Sequence, residues 1–227
     1  MPQQEPTTAA TCRVRLSAAD RRTSILDAAT EVFAEAGYRR GRAAEIAARI
    51  GVSEPVVFQN FGSKAALYAA VLDRAAEQVG ATMREELATC CHGSAAVFLE
   101  HVTTPGHVDR MHERGTLGAL LADAAALTDE PRIAEAYRRG TRRIAEELTA
   151  VLAQGQRAGE ITPEIDPAAG AWWLLSLLAS HRFRRTAVPE ETRADTEDRL
   201  AEMTHRLLVA PAGPRIPDRA RPARPSA

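Results

Sequence analysis

Apolar positions recur every three to four residues through most of the chain, and that period predicts helices. Ile25, Ala29, Val32, Phe33 and Ala36 form one stripe, with Arg21, Arg22, Asp27, Glu31 and Glu35 mostly outside it. Ser17 stands where it would cap this helix, and Gly37 where it would end it. Ile46, Ala47 and Ile50 bury one face of a short helix over about 42–50. Gly51 and Val52 then turn the corner, and Ser53 offers its hydroxyl as the cap of a second short helix over about 53–60. Pro55 falls in the first turn of that helix, where its missing N–H matters least. Gly62-Ser63 breaks and recaps the chain, and Leu67, Val71, Leu72, Ala75 and Val79 predict a longer helix from Lys64 past Gln78. Two short helices around a Gly turn make a helix-turn-helix, the unit whose second helix lies in the DNA major groove.

Beyond Met83 every strongly patterned segment is helical. The pattern predicts pieces at 84–88, 95–103, 108–113 and 117–127. Longer ones follow over 131–158, closed by Gly159, over 167–185, and over 189–209. Strand alternation is absent, so the expected fold is all-α. Its parts are a disordered arm (1–16), a three-helix helix-turn-helix domain (17–63, motif 42–61) and a linking helix (64–80). A larger helical domain (81–210) and a disordered Pro/Arg tail (211–227) complete the chain. The longest apolar run, 168–179, falls far short of the roughly 20 residues that span a bilayer.

Composition supports helices over sheets: 45% of residues are hydrophobic but only 4% aromatic, so alanine and leucine fill the core. The net charge of −1 excludes a chain that is basic throughout. Positive charge is instead local. Arg39, Arg40 and Arg42 precede the first motif helix, and with Arg21, Arg22 and Lys64 they form a set suited to phosphates. Three cysteines, Cys12, Cys90 and Cys91, give an odd count with an adjacent pair, which fits a reducing compartment. With no signal peptide in view, the expected location is the cytoplasm, with no membrane partner. P-loop, GxSxG and HExxH patterns are absent, so no catalytic residue and no cofactor is expected. His101, His107, His112, His181 and His205 lack metal-ligand spacing, and Cys90-Cys91-His92 is too crowded to chelate, so no metal is expected either.

Residues 25–72 resemble the N-terminal domain of the TetR family of transcriptional regulators. The matching letters include Ile25-Leu26, Ala28-Ala29, Val32-Phe33-Ala34-Glu35, Gly37-Tyr38 and Glu45-Ile46-Ala47. Gly51-Val52-Ser53, Phe58, Phe61, Ser63-Lys64, Leu67 and Val71-Leu72 continue the register. On this resemblance the second motif helix presents Ser53, Glu54, Pro55, Val56, Phe58, Gln59 and Asn60 to DNA. Gln59 and Asn60 are suited to adenine and Val56 to a thymine methyl, while Arg21, Arg22, Arg40, Arg42 and Lys64 face phosphates. Phe33, Phe58 and Phe61 are expected to pack in the bundle. Gly41-Arg42 stands where the family usually has a Thr/Ser cap, so that cap is weaker. Glu54, Val56 and Phe58 replace a frequent Lys, Thr and Tyr.

The resemblance also implies a C-terminal ligand-binding and dimerisation domain. Met111, His112, Leu120, Leu121, Tyr137, Trp172 and Trp173 are the candidate pocket residues. The segment 167–185 is apolar almost all round, and Leu200, Met203, Leu207 and Leu208 share a face of the last helix. Two such helices from each of two subunits would make a four-helix interface in a homodimer. The expected function is that of a repressor released from a palindromic double-stranded operator by a small-molecule effector. Two alternatives stay open: a protein-interaction module with a degenerate helix-turn-helix, and a helical small-molecule-modifying enzyme.

Overall fold

The computed structural model describes residues 17–113, 115–127 and 129–211. The expectations for the arm with Cys12, Arg13 and Arg15, and for the tail after Pro211, lie outside the described residues. Within them the chain forms eleven helices and one isolated β-bridge, between Ile161 and Val209. No helix among the described residues is long and apolar enough to cross a membrane.

Helix α1 (Ala18–Arg40) starts where Ser17 predicts: its hydroxyl accepts the Asp20 N–H at 3.0 Å. Gly37, at φ 74°, interrupts the helix, and the chain adds one offset turn before Gly41. A side chain at Gly37 would also meet the Asp123 carboxylate, its Cβ 2.8 Å from Oδ1.

Helices α2 (Ala43–Arg49) and α3 (Glu54–Phe61) form the helix-turn-helix. Gly51 takes φ 67°, and the Val52 N–H closes the corner on the Ala47 carbonyl at 3.0 Å. Ser53 occupies the cap position of α3, but its hydroxyl makes no capping bond. The cause is local. Pro55 has no N–H to give, and the Val56 N–H goes to the Ser53 carbonyl at 3.0 Å. Arg42 likewise starts α2 without a side-chain cap, as the missing Thr/Ser pair implies.

Helix α4 (Lys64–Ala88) is continuous for 25 residues, capped by Ser63, so the separate piece expected at 84–88 is its last turn. Helices α5 (Ala95–Thr103), α6 (Pro105–Met111) and α7 (Leu117–Ala124) follow as short units. Helix α6 begins three residues before the expected start at Val108, because Pro105 suits a first turn. Helix α8 (Pro131–Ala158) ends at Gly159 in the left-handed conformation. The expected single helix over 167–185 is two, α9 (Pro167–Ala179) and α10 (His181–Ala187). At the break the Arg184 guanidinium satisfies the Leu177 carbonyl at 2.6 Å and the Ser180 hydroxyl at 2.7 Å. Arg184 also forms a buried two-point pair with Glu197 of α11 (Glu190–Leu208), at 2.7 and 3.0 Å.

Two cores result. The first joins α1, α2, α3 and the first half of α4 to Leu120, Ala124, Leu127, Ile133 and Ala136 of the body. The second gathers Ala76, Met83, Phe98, Leu99, Leu148, Leu152, Leu174 and Leu208. Helices α4 and α8 pass through both, so the N-terminal head is packed on the body rather than hung from it.

Candidate nucleic-acid interface and the cleft behind it

Val57 and Phe61 bury one side of α3 in the first core, which turns the opposite side outward. Ser53, Glu54, Pro55 and Gln59 are exposed; Val56 and Phe58 are half-buried, so Phe58 is only partly the core residue expected. Asn60 is placed otherwise than expected. Its side-chain amide donates to the Val56 carbonyl at 2.8 Å, so the group expected to read adenine is held on its own helix. Among the described residues the Gln59 amide has no such bond.

Two cations flank α3 in fixed positions. The Arg22 guanidinium donates to the Asn60 carbonyl at 2.6 Å and lies 4.0 Å above the Phe61 ring. It ties α1 to the end of α3 and keeps other N–H donors for a phosphate. Lys64, at the start of α4, donates to the Arg39 carbonyl at 3.2 Å and sits 4.8 Å from the Tyr38 ring centre. Partial burial pushes its pKa below the usual lysine value. Arg21 is half-buried on α1, while Arg39 and Arg42 are exposed.

Arg40 departs from expectation. Its Nε donates to the Ala36 carbonyl at 3.2 Å, and the offset turn after Gly37 puts the side chain on the wall of a cleft behind the head. Arg49, not singled out from the sequence, bonds Glu31, Glu35 and Glu45 at 3.0, 2.8 and 3.2 Å. Those carboxylates raise its pKa and clamp α2 to α1, so its charge is already matched. Only the Glu45–Arg49 spacing hinted at this in sequence.

Behind the head, Asp123 of α7 joins head to body. Its Oδ2 accepts the Tyr38 N–H and the Tyr68 hydroxyl, both at 2.8 Å, and the hydroxyl also lies 3.2 Å from the Leu120 carbonyl. Tyr68 is fully buried, stacked edge-on against Phe33 at 4.9 Å and near Tyr38 at 5.1 Å. Burial, reinforced by the Asp123 charge, pushes its pKa far above the ordinary tyrosine value.

Beside this junction lies a cleft of about 370 Å³, walled by Gly37 and Arg40 of the head and by Asp109, His112, Asp123, His181 and Arg185 of the body. His181 is 2% exposed. Its Nε2 lies 3.0 Å from Asp109 Oδ1, but the N–H direction misses the oxygen and neither ring nitrogen makes a hydrogen bond. Arg185 donates to that same oxygen at 2.9 Å. Burial, then the neighbouring His112, lowers the His181 pKa below the ordinary histidine value.

Of the expected pocket residues only His112 lines this cleft. Leu120 is fully buried in the first core, Leu121 bridges both cores and Tyr137 packs on the first, because core packing claims apolar groups at those positions. Met111 is half-buried outside the cleft wall. Trp172 and Trp173 are 49% and 46% exposed, since Ala171 and Leu174 take the inward side of α9. Trp173 reaches α11 through a 3.4 Å bond from its indole N–H to Thr204. Met203 and Leu207 of α11 and Phe183 of α10 are also exposed. Leu208 does not share this exposure: about 100° around the helix from Leu207, it is buried in the second core.

A family model for the bacterial regulatory proteins of the tetR family matches residues 25–71. The HTH-type transcriptional activator FasR of Mycolicibacterium smegmatis is 45% identical over 75 residues, which are 33% of this chain and 34% of that protein. The A-factor receptor protein of Streptomyces griseus is 27% identical over 197 residues, 85% of this chain and 64% of that one. The chain thus spans about a third and just under two thirds of these two relatives. Among solved structures, reduced Escherichia coli NemR superposes with a TM-score of 0.70 at 18% identity, covering 85% of this chain and 99% of its own. Residues 25–71 thus carry the N-terminal domain of the bacterial regulatory proteins of the tetR family, and the helical body behind that domain has the same fold as the solved structure.

Proposed function

We propose that the protein is a sequence-specific DNA-binding transcription regulator, acting as a homodimer in the cytoplasm and carrying out no catalysis. The observation that carries this reading is the outward side of α3. Ser53, Glu54, Pro55 and Gln59 stand free on it, while Arg22 and Lys64 are held on aromatic rings at its edges. Small polar groups and a carboxamide suit base edges, and pre-positioned cations suit the phosphates on either side. Two copies related by a twofold axis would place two such helices about one DNA turn, roughly 34–36 Å, apart, which calls for a palindromic operator. The exposed Trp172, Trp173, Met203 and Leu207 support pairing through α9 and α11.

We assign the effector to the cleft between head and body, and its action to release of a repressor. The cleft is walled by both parts and lies beside the Asp123 bonds, so a small polar molecule there would favour a different seating of the head. The required coupling is modest, about 1–3 kcal/mol for a 5–150-fold change in operator affinity. FasR is by its name an activator, which makes activation the second reading.

Selection of bound fragments from genomic DNA, followed by a salt titration on the recovered site, tests the proposal. A palindromic site whose affinity falls steeply with salt is expected. No enriched site, or affinity indifferent to salt, would instead favour the interaction-module alternative.

A further inference from the structure

Helices α4, α5 and α6 meet at a corner far along the chain from the recognition helix, and three side chains converge there. Glu86 comes from the last turns of α4, His101 from α5 and His107 from α6. One ligand atom from each lies within 4.8 Å of the other two, and all three residues are half-buried. Thr104 ends α5 and starts α6, so the chain reverses in a single residue and folds His107 back on His101. The two rings stand 4.6 Å apart at 64°. Among the described residues no other trio of His, Cys, Asp or Glu converges in this way, and none of these three side chains is committed to a hydrogen bond or ion pair.

We propose that Glu86, His101 and His107 form a three-ligand site for a divalent first-row transition ion, with Zn²⁺ the reference occupant. Two imidazoles with one carboxylate suit a borderline-soft ion, whereas Ca²⁺ and Mg²⁺ favour all-oxygen shells. Ligand atoms about 2.1 Å from a tetrahedral zinc lie roughly 3.4 Å apart, so closure needs the three atoms to approach by about an ångström. The three torsions of Glu86 and the ring rotations of half-buried histidines supply that movement without shifting a helix. The fourth position stays open to water. An occupied site would pin the far end of α4 to α6 and thereby restrain the helix that carries Lys64 at its other end.

The contrast with the cleft histidines is informative. His112 and His181 are also near neighbours, at 4.9 Å, but His112 Nδ1 is engaged with the Val108 carbonyl and Asp109 already serves Arg185. Among the described residues no third ligand atom converges on that pair.

The test uses the untagged full-length chain, stripped with a chelator, titrated with Zn²⁺ by calorimetry and with Co²⁺ by visible absorption. The expected result is one ion per chain and a Co²⁺ spectrum of nitrogen and oxygen ligands. His101→Ala and His107→Ala should each weaken binding on the order of 100-fold, and Glu86→Gln about 10-fold. His112→Ala should leave it unchanged, and the more conservative His107→Gln covers the case in which the alanine variant fails to fold. Absence of stoichiometric binding would overturn the proposal. So would undiminished binding in the folded His101→Ala/His107→Gln double variant, or a thiolate-to-Co²⁺ band lost in Cys90→Ser, which would place the ion on cysteine.

Discussion

The outward side of α3 and the α9–α11 face are both exposed, yet they are built in opposite ways. The first carries Ser53, Glu54 and Gln59, groups at no disadvantage in water, with cations fixed at its borders. The second exposes two tryptophans, Trp172 at 49% and Trp173 at 46%. Large aromatic groups left in water lose the stabilisation that burial gives, about 25 cal/mol per Å² of apolar surface. Exposure alone therefore does not identify a partner. The chemistry of the exposed groups does: a polyanion suits the first face and a second apolar face the second. On the proposed function the two interactions should differ in their response to salt, steep for DNA and slight for self-association.

Charging the apolar face should give the largest effect. If the proposed dimer forms there, Trp172→Glu with Trp173→Glu removes two aromatic anchors of at least about 2 kcal/mol each and adds like charges across its twofold axis. Self-association measured by sedimentation should weaken by more than about 100-fold, with the monomer's helical content retained. An unchanged dimer would show that another surface pairs the subunits. A wild-type chain that sediments as a monomer at micromolar concentration would mean that the apolar face does not pair two subunits.

The next effect concerns what holds the two faces in one body. Asp123→Ala leaves the Tyr38 N–H unpartnered and the Tyr68 hydroxyl with only the Leu120 carbonyl, so stability should fall by about 1–3 kcal/mol. For a chain of this size that lowers the melting temperature by several degrees, at about 2–4 °C per kcal/mol. Asp123→Asn keeps an acceptor and should recover much of the loss. Equal losses in the two variants would show that the carboxylate charge matters rather than its hydrogen bonds.

Smaller changes follow from single cations at the polar face. Arg22→Ala and Lys64→Ala should each weaken operator binding about 10-fold and reduce the salt slope by about 0.9 for each phosphate that is no longer neutralised. Arg40→Ala should not, because Arg40 lies on the cleft wall. Fluorescence anisotropy across a salt series separates these outcomes. A flatter slope in Arg40→Ala would return that residue to the DNA side.

Many helix ends were legible because their signals are local: Ser17, Ser63 and Gly159 begin or end helices through groups one turn away. The buried side of α3 was read only in part, since Phe61 was expected in the core but Val57 was not singled out. The misreadings share a cause. Periodicity reports neighbours three or four positions apart, whereas Tyr38 and Asp123 are 85 positions apart and Tyr68 and Asp123 are 55. Their meeting depends on how α4 and α7 pack. The break at Ser180 depends likewise on Arg184 being held by Glu197, and the Glu86–His101–His107 convergence on a one-residue corner at Thr104. Even a local surprise such as Asn60 turned toward Val56 reflects competition between a side chain and its own backbone, which an apolar pattern does not record.

The smallest predicted effect lies in the cleft behind the head. His181 is held below its ordinary pKa chiefly by burial, and His112 and Arg184 add to the shift while Asp109 and Glu197 oppose it. As pH falls through about 6.5 the unfolded chain takes up a proton there before the folded chain does. The folded state therefore loses stability as pH drops from about 6.5 toward the lowered value, and regains it in full above 6.5. His107 is shifted the same way, so His181→Gln should flatten this part of the stability profile without abolishing the slope. Denaturant unfolding at intervals between pH 7.5 and 5 measures it. A variant as steep as the wild type would mean that His181 gains its proton without disturbing the cleft. Its closeness to Asp109 would then outweigh its burial.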